Sequence, residues 1–194
     1  MKDSTQTKVE DQALWEQVRL GDVTAYRHLY DTHADMLFNY GRKFTPEEDL
    51  IKDSIQEVFL IIWDKKSSIN IRSSIKSYLF TVFRRELITK LKQQNSKSSH
   101  KWEADVELSI ETQIVEDEQK QQIRSNLNRA IGDLTTRQKE ILYLRYYENL
   151  SYEDISELMS LNHNSMYKLL SAAIKRLRSQ LAYMLITLGL STLV

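Results

Sequence analysis

The chain has no cysteine, one proline, four glycines and, summed over its charged side chains, no net charge. Without cysteine there is neither a disulfide framework nor a thiolate metal site, which fits a reducing compartment. So few prolines and glycines leave little room for the tight turns of an all-β fold, whereas Leu, Ile, Lys, Glu and Gln are abundant. The reading is therefore all-α, and 194 residues allow two small domains, each with its own core. His28, His33, His100 and His163 lie far apart, and none has a partner at zinc-ligand spacing. A glycine-rich phosphate loop and a nucleophile elbow are both missing, so no active site, cofactor or metal site is expected. Met1–Gln12 is polar and mixed in charge, which is not the pattern of a signal peptide. The one almost wholly apolar stretch, 182–194, falls short of the ~20 residues a membrane span needs. It reads as an extension of the last domain's core or as a partner-binding helix, with no membrane insertion.

Against these absences one stretch stands out, a predicted helix from Glu47 to about Asp64. At about 100° per residue, Ile51, Ile55, Val58 and Ile62 share one narrow arc and form a core stripe. Asp49, Asp53, Gln56, Glu57, Leu60 and Asp64 fall on the opposite arc, with Trp63 at its edge. Such a face suits docking to a basic helical partner, because aromatics anchor interfaces and complementary charge steers encounter. The plainer alternative is a solvated acidic face with Trp63 tucked into the core.

Before this helix, Ala13–Phe44 reads as two helices broken near Gly21-Asp22, with Leu14, Val18, Ala25, Leu29, Tyr30, Leu37 and Tyr40 on an apolar stripe. After it come a polar, serine-rich loop, Lys65–Ser74, and a long helix from about Ile75 to Gln94. Between Ile71 and Gln94 the charges are Arg72, Lys76, Arg84, Arg85, Lys90 and Lys92 against Glu86 alone. Thr81, Arg85, Thr89 and Lys92 share a broad face, a phosphate-tracking stripe with two hydroxyl donors, and Tyr78, Phe80 and Phe83 interleave with it. Basic groups neutralise phosphates and aromatics stack on unpaired bases, although aromatics at helical spacing also serve as core.

Residues 95–122 are poor in large apolar side chains and rich in acids, the composition of a linker, with Trp102 its odd member. From 123 to 181 a second helical domain is expected. Thr135 or Thr136 caps a helix over Arg137–Tyr147, and Ser151-Tyr152-Glu153-Asp154 is a capping-box variant with Asp in place of Glu. The helix with Ile155, Leu158 and Met159 stops at Ser160-Leu161-Asn162. Another, from about Asn164 to Leu181, packs through Met166, Leu169, Leu170, Ala173 and Leu177. Two helices joined by a three-residue turn, the second with a basic outer face, make a helix-turn-helix. That face carries Asn164, Lys168, Ser171, Lys175 and Arg178, and no acid occurs between Leu161 and Arg178.

Asp53-Ser54-Ile55-Gln56-Glu57-Val58-Phe59, followed by Trp63, resembles the D-x-x-Q-E-x-F…W signature of bacterial RNA polymerase sigma factors. The length is similar to that of the two-domain extracytoplasmic-function (ECF) group. GDVTAYRHLYDTHADML resembles that family's opening segment, and the run from Leu134 to Leu181 its upstream promoter-reading domain. The resemblance implies residues 13–94 as a sigma domain, 95–122 as linker and 123–181 as the reader of a −35-type element. It implies that Asp53, Gln56, Glu57, Leu60 and Trp63 dock on core RNA polymerase. The melted −10-type strand of promoter DNA would lie along Arg72, Lys76, Tyr78, Thr81, Arg84, Arg85, Thr89 and Lys92, with a flipped base held by the Ser67–Ser74 loop. Asn164, Ser165, Lys168, Ser171, Lys175 and Arg178 would meet duplex DNA. An anti-sigma factor is implied as a further partner, and a cytoplasmic location. The chain departs from the family at Arg85 (usually Asn), Thr89 (usually Asp), Ser160 (usually a nearby Gly), and Leu169 and Ala172 (usually Arg). Base-edge contacts through bidentate arginine are thereby fewer, leaving Asn164, Ser165 and Lys168 as candidates. Rival readings are a stand-alone helix-turn-helix regulator and a helical interaction adaptor.

Overall fold

A computed structural model describes residues 4–71, 73–96, 125 and 127–191; for 4–10, 95–96 and 183–191 it describes the backbone alone. Among the described residues there is no strand. The chain divides into two compact units, Met1–Ala104 and Asp105–Val194.

The first unit holds α1 (Ser4–Arg19), α2 (Val23–Gly41), α3 (Glu48–Lys65) and α4 (Ile75–Ser96). Helix α1 starts well before the expected Ala13, since nothing from Ser4 to Arg19 breaks a helix. It ends in a Schellman motif: Asp22 N–H donates to the Gln17 carbonyl and Gly21 N–H to that of Val18, with Gly21 at φ 90°. Asp22 then caps α2, its carboxylate accepting from the Thr24 and Ala25 amides at 2.7 and 3.1 Å. Pro46 lies just ahead of the α3 N-cap, Glu47, and Glu48 and Asp49 occupy the first turn.

Ile51, Ile55, Val58 and Ile62 are buried as their spacing requires, joined by Ser54 and Phe59. They meet Leu29, Leu37 and Tyr40 of α2 and Leu79, Phe80, Phe83 and Leu87 of α4, all buried. Tyr40 is the hub, 4.8 Å from Phe80 and 5.0 Å from Phe44 between ring centres. Gly41 permits this approach, because a Cβ there would stand 2.7 Å from an Ile51 methyl and 3.0 Å from the Phe83 ring. Phe80 and Phe83 are therefore core, the commoner role of aromatics at helical spacing. Truncating either to Ala would cost about 3–5 kcal/mol.

The second unit begins its described part with α5 (127–132), then α6 (Thr136–Leu142), a π-helical turn (Tyr143–Tyr147), α7 (Tyr152–Leu158) and α8 (His163–Ser191). Thr135 caps α6 in a reciprocal box with Gln138, and Ser151 caps α7 in another with Asp154. Helix α8 runs through to Ser191, so the expected break after Leu181 is absent and the apolar tail continues the same helix. Ala130, Ile131, Leu134, Ile141, Leu144, Leu150, Ile155, Leu158, Met159, Met166, Leu170 and Ala173 form the core. Leu169 and Leu177 lie at its margin, half-buried. The expected linker, 95–122, including Trp102, falls almost wholly outside the described residues.

Candidate polymerase- and DNA-binding faces

On α3 the face opposite the core exposes Asp53, Gln56, Glu57 and Leu60. Among the described residues neither Asp53 nor Glu57 has an ion-pair partner, whereas Glu48 on the same helix is paired to Lys52 at 3.3 Å. Trp63 is half-buried. Its ring lies 4.8 Å from that of Tyr26, and the Tyr26 hydroxyl donates to the Phe59 carbonyl at 2.8 Å. The Lys66 ammonium sits 4.1 Å from the indole centre and donates to the Trp63 carbonyl at 2.8 Å. Trp63 is thus braced along its inner edge by Tyr26 and Lys66, with the rest of the indole turned toward solvent.

Helix α4 begins at Ser74, whose hydroxyl accepts from the Ser77 amide at 3.1 Å. Tyr78, Thr81, Arg85, Thr89 and Lys92 share its outward side. Burial raises the Tyr78 phenol, and the nearby Arg85 charge opposes that shift. Both threonine hydroxyls donate to their own helix, Thr81 to Ser77 at 2.9 Å and Thr89 to Arg85 at 2.8 Å. Their protons are spent, and the expected pair of free donors is corrected: toward a phosphate or base each oxygen offers only acceptance. Lys76 sits on the far side of α4 with its ammonium 5.9 Å from the Phe80 ring centre, and Arg84 is half-buried at the edge. The stripe is therefore narrower than expected, with Arg85 and Lys92 as its exposed cations. Arg72 lies outside the described residues.

In the second unit, α7, its turn and α8 form the helix-turn-helix. The Ser160 and Leu161 amides donate to the Glu157 and Ser156 carbonyls at 3.1 and 2.8 Å, a Schellman motif with Ser160 in the left-handed region at φ 52°. Asn162 then caps α8 by accepting from the Ser165 amide at 2.8 Å. Asn164, Lys168, Ser171, Lys175 and Arg178 are exposed on one face of α8. Ser165 is half-buried and points off that face.

A feature absent from the expectations adjoins it. The Arg145 guanidinium lies 4.3 Å from the Tyr152 ring centre and donates to the Leu150 carbonyl at 2.8 Å. Tyr152 in turn lies 5.2 Å from Tyr167 of α8, which is exposed. An aromatic bridge thus joins the start of α7 to the outer face of α8 with a cation at its end. The π-helical turn that carries Arg145 shifts the helical register, and a 3.6-residue period gives no sign of it. Among the described residues no group of three His, Asp or Glu is disposed to hold a metal, and no helix is long and apolar enough to cross a membrane.

Comparison with known proteins places these faces in a family context. Residues 29–97 match sigma-70 region 2, and residues 124–177 match sigma-70 region 4. An ECF RNA polymerase sigma factor, SigK of Mycobacterium sp. (strain KMS), is 22% identical over 174 residues, 86% of this chain and 88% of that one. The sigma factor SigV of Bacillus subtilis (strain 168) is 25% identical over 146 residues, 75% of this chain and 82% of its own length. Among solved structures, the sigma factor RpoE from Bartonella quintana, in complex with the anti-sigma factor NepR, matches with a TM-score of 0.60 at 20% identity. That match covers 82% of this chain and 98% of RpoE. CnrH, in complex with the cytosolic domain of CnrY, matches with a TM-score of 0.58 at 17% identity, over 89% of this chain and 97% of CnrH. At such identities the two structures speak for the fold.

Proposed function

We propose a division of labour from one premise: the chain belongs to the sigma-70 family, as an ECF-type sigma factor of bacterial RNA polymerase. It directs core polymerase to specific promoters and assists strand opening at initiation. Residues 13–94 form the polymerase-docking and strand-holding domain, 95–122 the linker, 123–181 the upstream reader and 182–194 an apolar tail. The protein catalyses no reaction of its own; it supplies specificity and strand capture. Working with core polymerase, it acts in the cytoplasm.

The observation that carries the docking assignment is the outward face of α3. Asp53, Gln56 and Glu57 stand exposed beside Leu60 and a braced Trp63, and among the described residues neither carboxylate is spent on an ion pair. A solvated structural face has no need of unpaired acids next to an exposed leucine, and a stand-alone regulator has no use for such a face. Arg85 and Lys92, with Tyr78 beside Arg85, meet the melted strand, and the Ser67–Ser74 loop holds a flipped base near the start of α4. Arg72 of that loop, Arg84 at the edge of the stripe and the acceptor oxygens of Thr81 and Thr89 add to that surface; Lys76, on the far side of α4, does not.

On α8, Lys168, Lys175 and Arg178 neutralise duplex phosphates, while Asn164 reads a base edge and Ser171 lines the contact. Arg145, Tyr152 and Tyr167 extend this surface to the start of α7. An anti-sigma factor is a further partner, supported by the anti-sigma factor NepR with which the similar RpoE was solved. Run-off transcription with purified core polymerase tests the reading. A Gln56→Lys/Glu57→Lys variant should fold normally, because both side chains are exposed, yet lose promoter-specific transcripts and co-purification with core. Full retention of both would sink the docking assignment.

A further inference from the structure

The described residues of the first unit expose three large apolar side chains: Leu20 at 87%, Val23 at 66% and Leu60 at 62%. Leu60 belongs to the α3 face already assigned to polymerase. Leu20 and Val23 lie on either side of the Gly21-Asp22 corner between α1 and α2, outside the Asp53–Trp63 docking signature. The structure ties that corner to Trp63. Val23 is one helical turn from Tyr26, whose ring is 4.8 Å from that of Trp63. On the other side, Gly21 lies against Lys66: a Cβ there would be 4.0 Å from the Lys66 Cε. Lys66 is held over the indole at 4.1 Å. Lys66 thus reaches from the corner to Trp63, and its aliphatic stem links the exposed Leu20–Val23 corner to the Leu60–Trp63 end of α3.

We propose that Leu20 and Val23 are an apolar extension of the α3 docking face and are covered by core RNA polymerase. The proposal rests on the assignment of α3 to that partner. An interface of standard size combines an apolar centre with a polar rim. The acidic strip of Asp53, Glu57 and Asp64 is a rim without a matching centre, since Leu60 and the outer edge of Trp63 are too small an area. Adding the corner supplies that centre and moves Trp63 from the margin of the patch to its middle, where anchoring aromatics sit. The charge is suitable too. Lys66 is engaged with the Trp63 carbonyl and ring, and Arg19 beside Leu20 is paired with Glu16 at 3.0 Å, so a basic partner meets acid on one side and apolar surface on the other.

The two halves differ in their response to salt. Screening weakens the acidic strip and leaves the apolar corner unaffected. The full-length chain carrying Leu20→Gln/Val23→Thr, which touches no buried side chain, is titrated against purified core polymerase at several salt concentrations beside Gln56→Lys/Glu57→Lys. The expected result is a loss of affinity of about tenfold or more at every salt concentration, parallel to the unaltered chain, while the α3 variant also changes the slope. Unchanged affinity in the corner variant, with loss in the α3 variant, overturns the proposal and leaves the docking assignment standing. Unchanged affinity in both removes the assignment itself. Intact polymerase binding with loss of self-association on a sizing column would give the corner to a second copy of this chain and equally overturn the proposal.

Discussion

Ser160 occupies a position that favours glycine over serine: the left-handed C′ position of the Schellman motif that turns α7 into α8, at φ 52°. For a residue with a Cβ that conformation costs about 1–2 kcal/mol. Glycine removes the penalty but loses about 0.5–1 kcal/mol through its greater freedom when unfolded. The difference predicts that Ser160→Gly stabilises the second unit by about 0.5–1 kcal/mol, since the Ser160 side chain is exposed and makes no hydrogen bond among the described residues. For a unit of this size the melting temperature should rise by roughly 2–8 °C. The assay can be localised, because Trp15, Trp63 and Trp102 all lie in Met1–Ala104 and none in Asp105–Val194. Far-UV circular dichroism should report the rise, and tryptophan fluorescence should not. Ser160→Ala keeps the penalty and should gain nothing. Asn149 has φ 56° but is a residue that tolerates this region, so Asn149→Gly should gain less. A Ser160→Gly variant no more stable than the unaltered chain, or a shift shared by the tryptophans, would refute the reasoning.

Lys168→Ala/Lys175→Ala should weaken duplex promoter binding and flatten its dependence on salt, since each lost phosphate contact releases about one counterion fewer; an unmoved slope marks both lysines as merely solvated. Arg85→Ala should reduce open-complex formation, read as permanganate reactivity of promoter thymines, more than closed-complex recruitment measured on the same sample; equal losses would confine α4 to anchoring duplex phosphates. Burial pushes the His33 imidazole below its ordinary 6.5, with the ring bonded to the Leu29 carbonyl at 2.9 Å. The fold therefore holds it neutral while the unfolded chain takes up a proton below 6.5, so stability is lost as pH falls through that value and levels off once the folded form also protonates. His33→Gln should make denaturant-melt stability less sensitive to pH between about 7 and 5, and an identical pH profile would exclude His33 as the cause.

How much of this was legible in the sequence depended on which physical cause was at work. The α3 core stripe was readable because burial imposes a 3.6-residue period, and Ile51, Ile55, Val58 and Ile62 obey it. The Ser151–Asp154 box was readable because Ser151 competes for local amides within three residues; at α6 only the cap was, as Thr135 or Thr136, and its partner Gln138 was not. The threonines of α4 misled for a related reason. Face and spacing put Thr81 and Thr89 beside Arg85, but a mid-helix threonine finds the carbonyl four residues back before it finds a ligand. Trp15, buried against the first unit's core, gave no signal beside the expected Leu14 and Val18 pattern. The Arg145–Tyr152–Tyr167 bridge was hidden by a π-turn that no periodicity encodes. Trp63 is not tucked wholly into the core: its inner edge is packed on Tyr26 and Lys66, and the residue is half-buried.

Zero net charge argues against nucleic-acid binding only if charge acts as a sum. In the first unit, α3 and α4 pack their apolar stripes into one core, so the acidic face of the one and the basic face of the other are each turned away from it. Packed helix axes lie about 8–10 Å apart, and side chains on outward faces stand farther apart than that. The Debye length at physiological ionic strength is about 8 Å. Asp53 and Glu57 therefore do little to cancel the field of Arg85 and Lys92 at the surface where a strand would lie. The same screening lets Lys168, Lys175 and Arg178 on α8 act as a local cationic face whatever the acids elsewhere in the chain contribute. A single chain can in this way present an acidic surface to a protein and basic ones to DNA, and its net charge records only that the two demands are balanced.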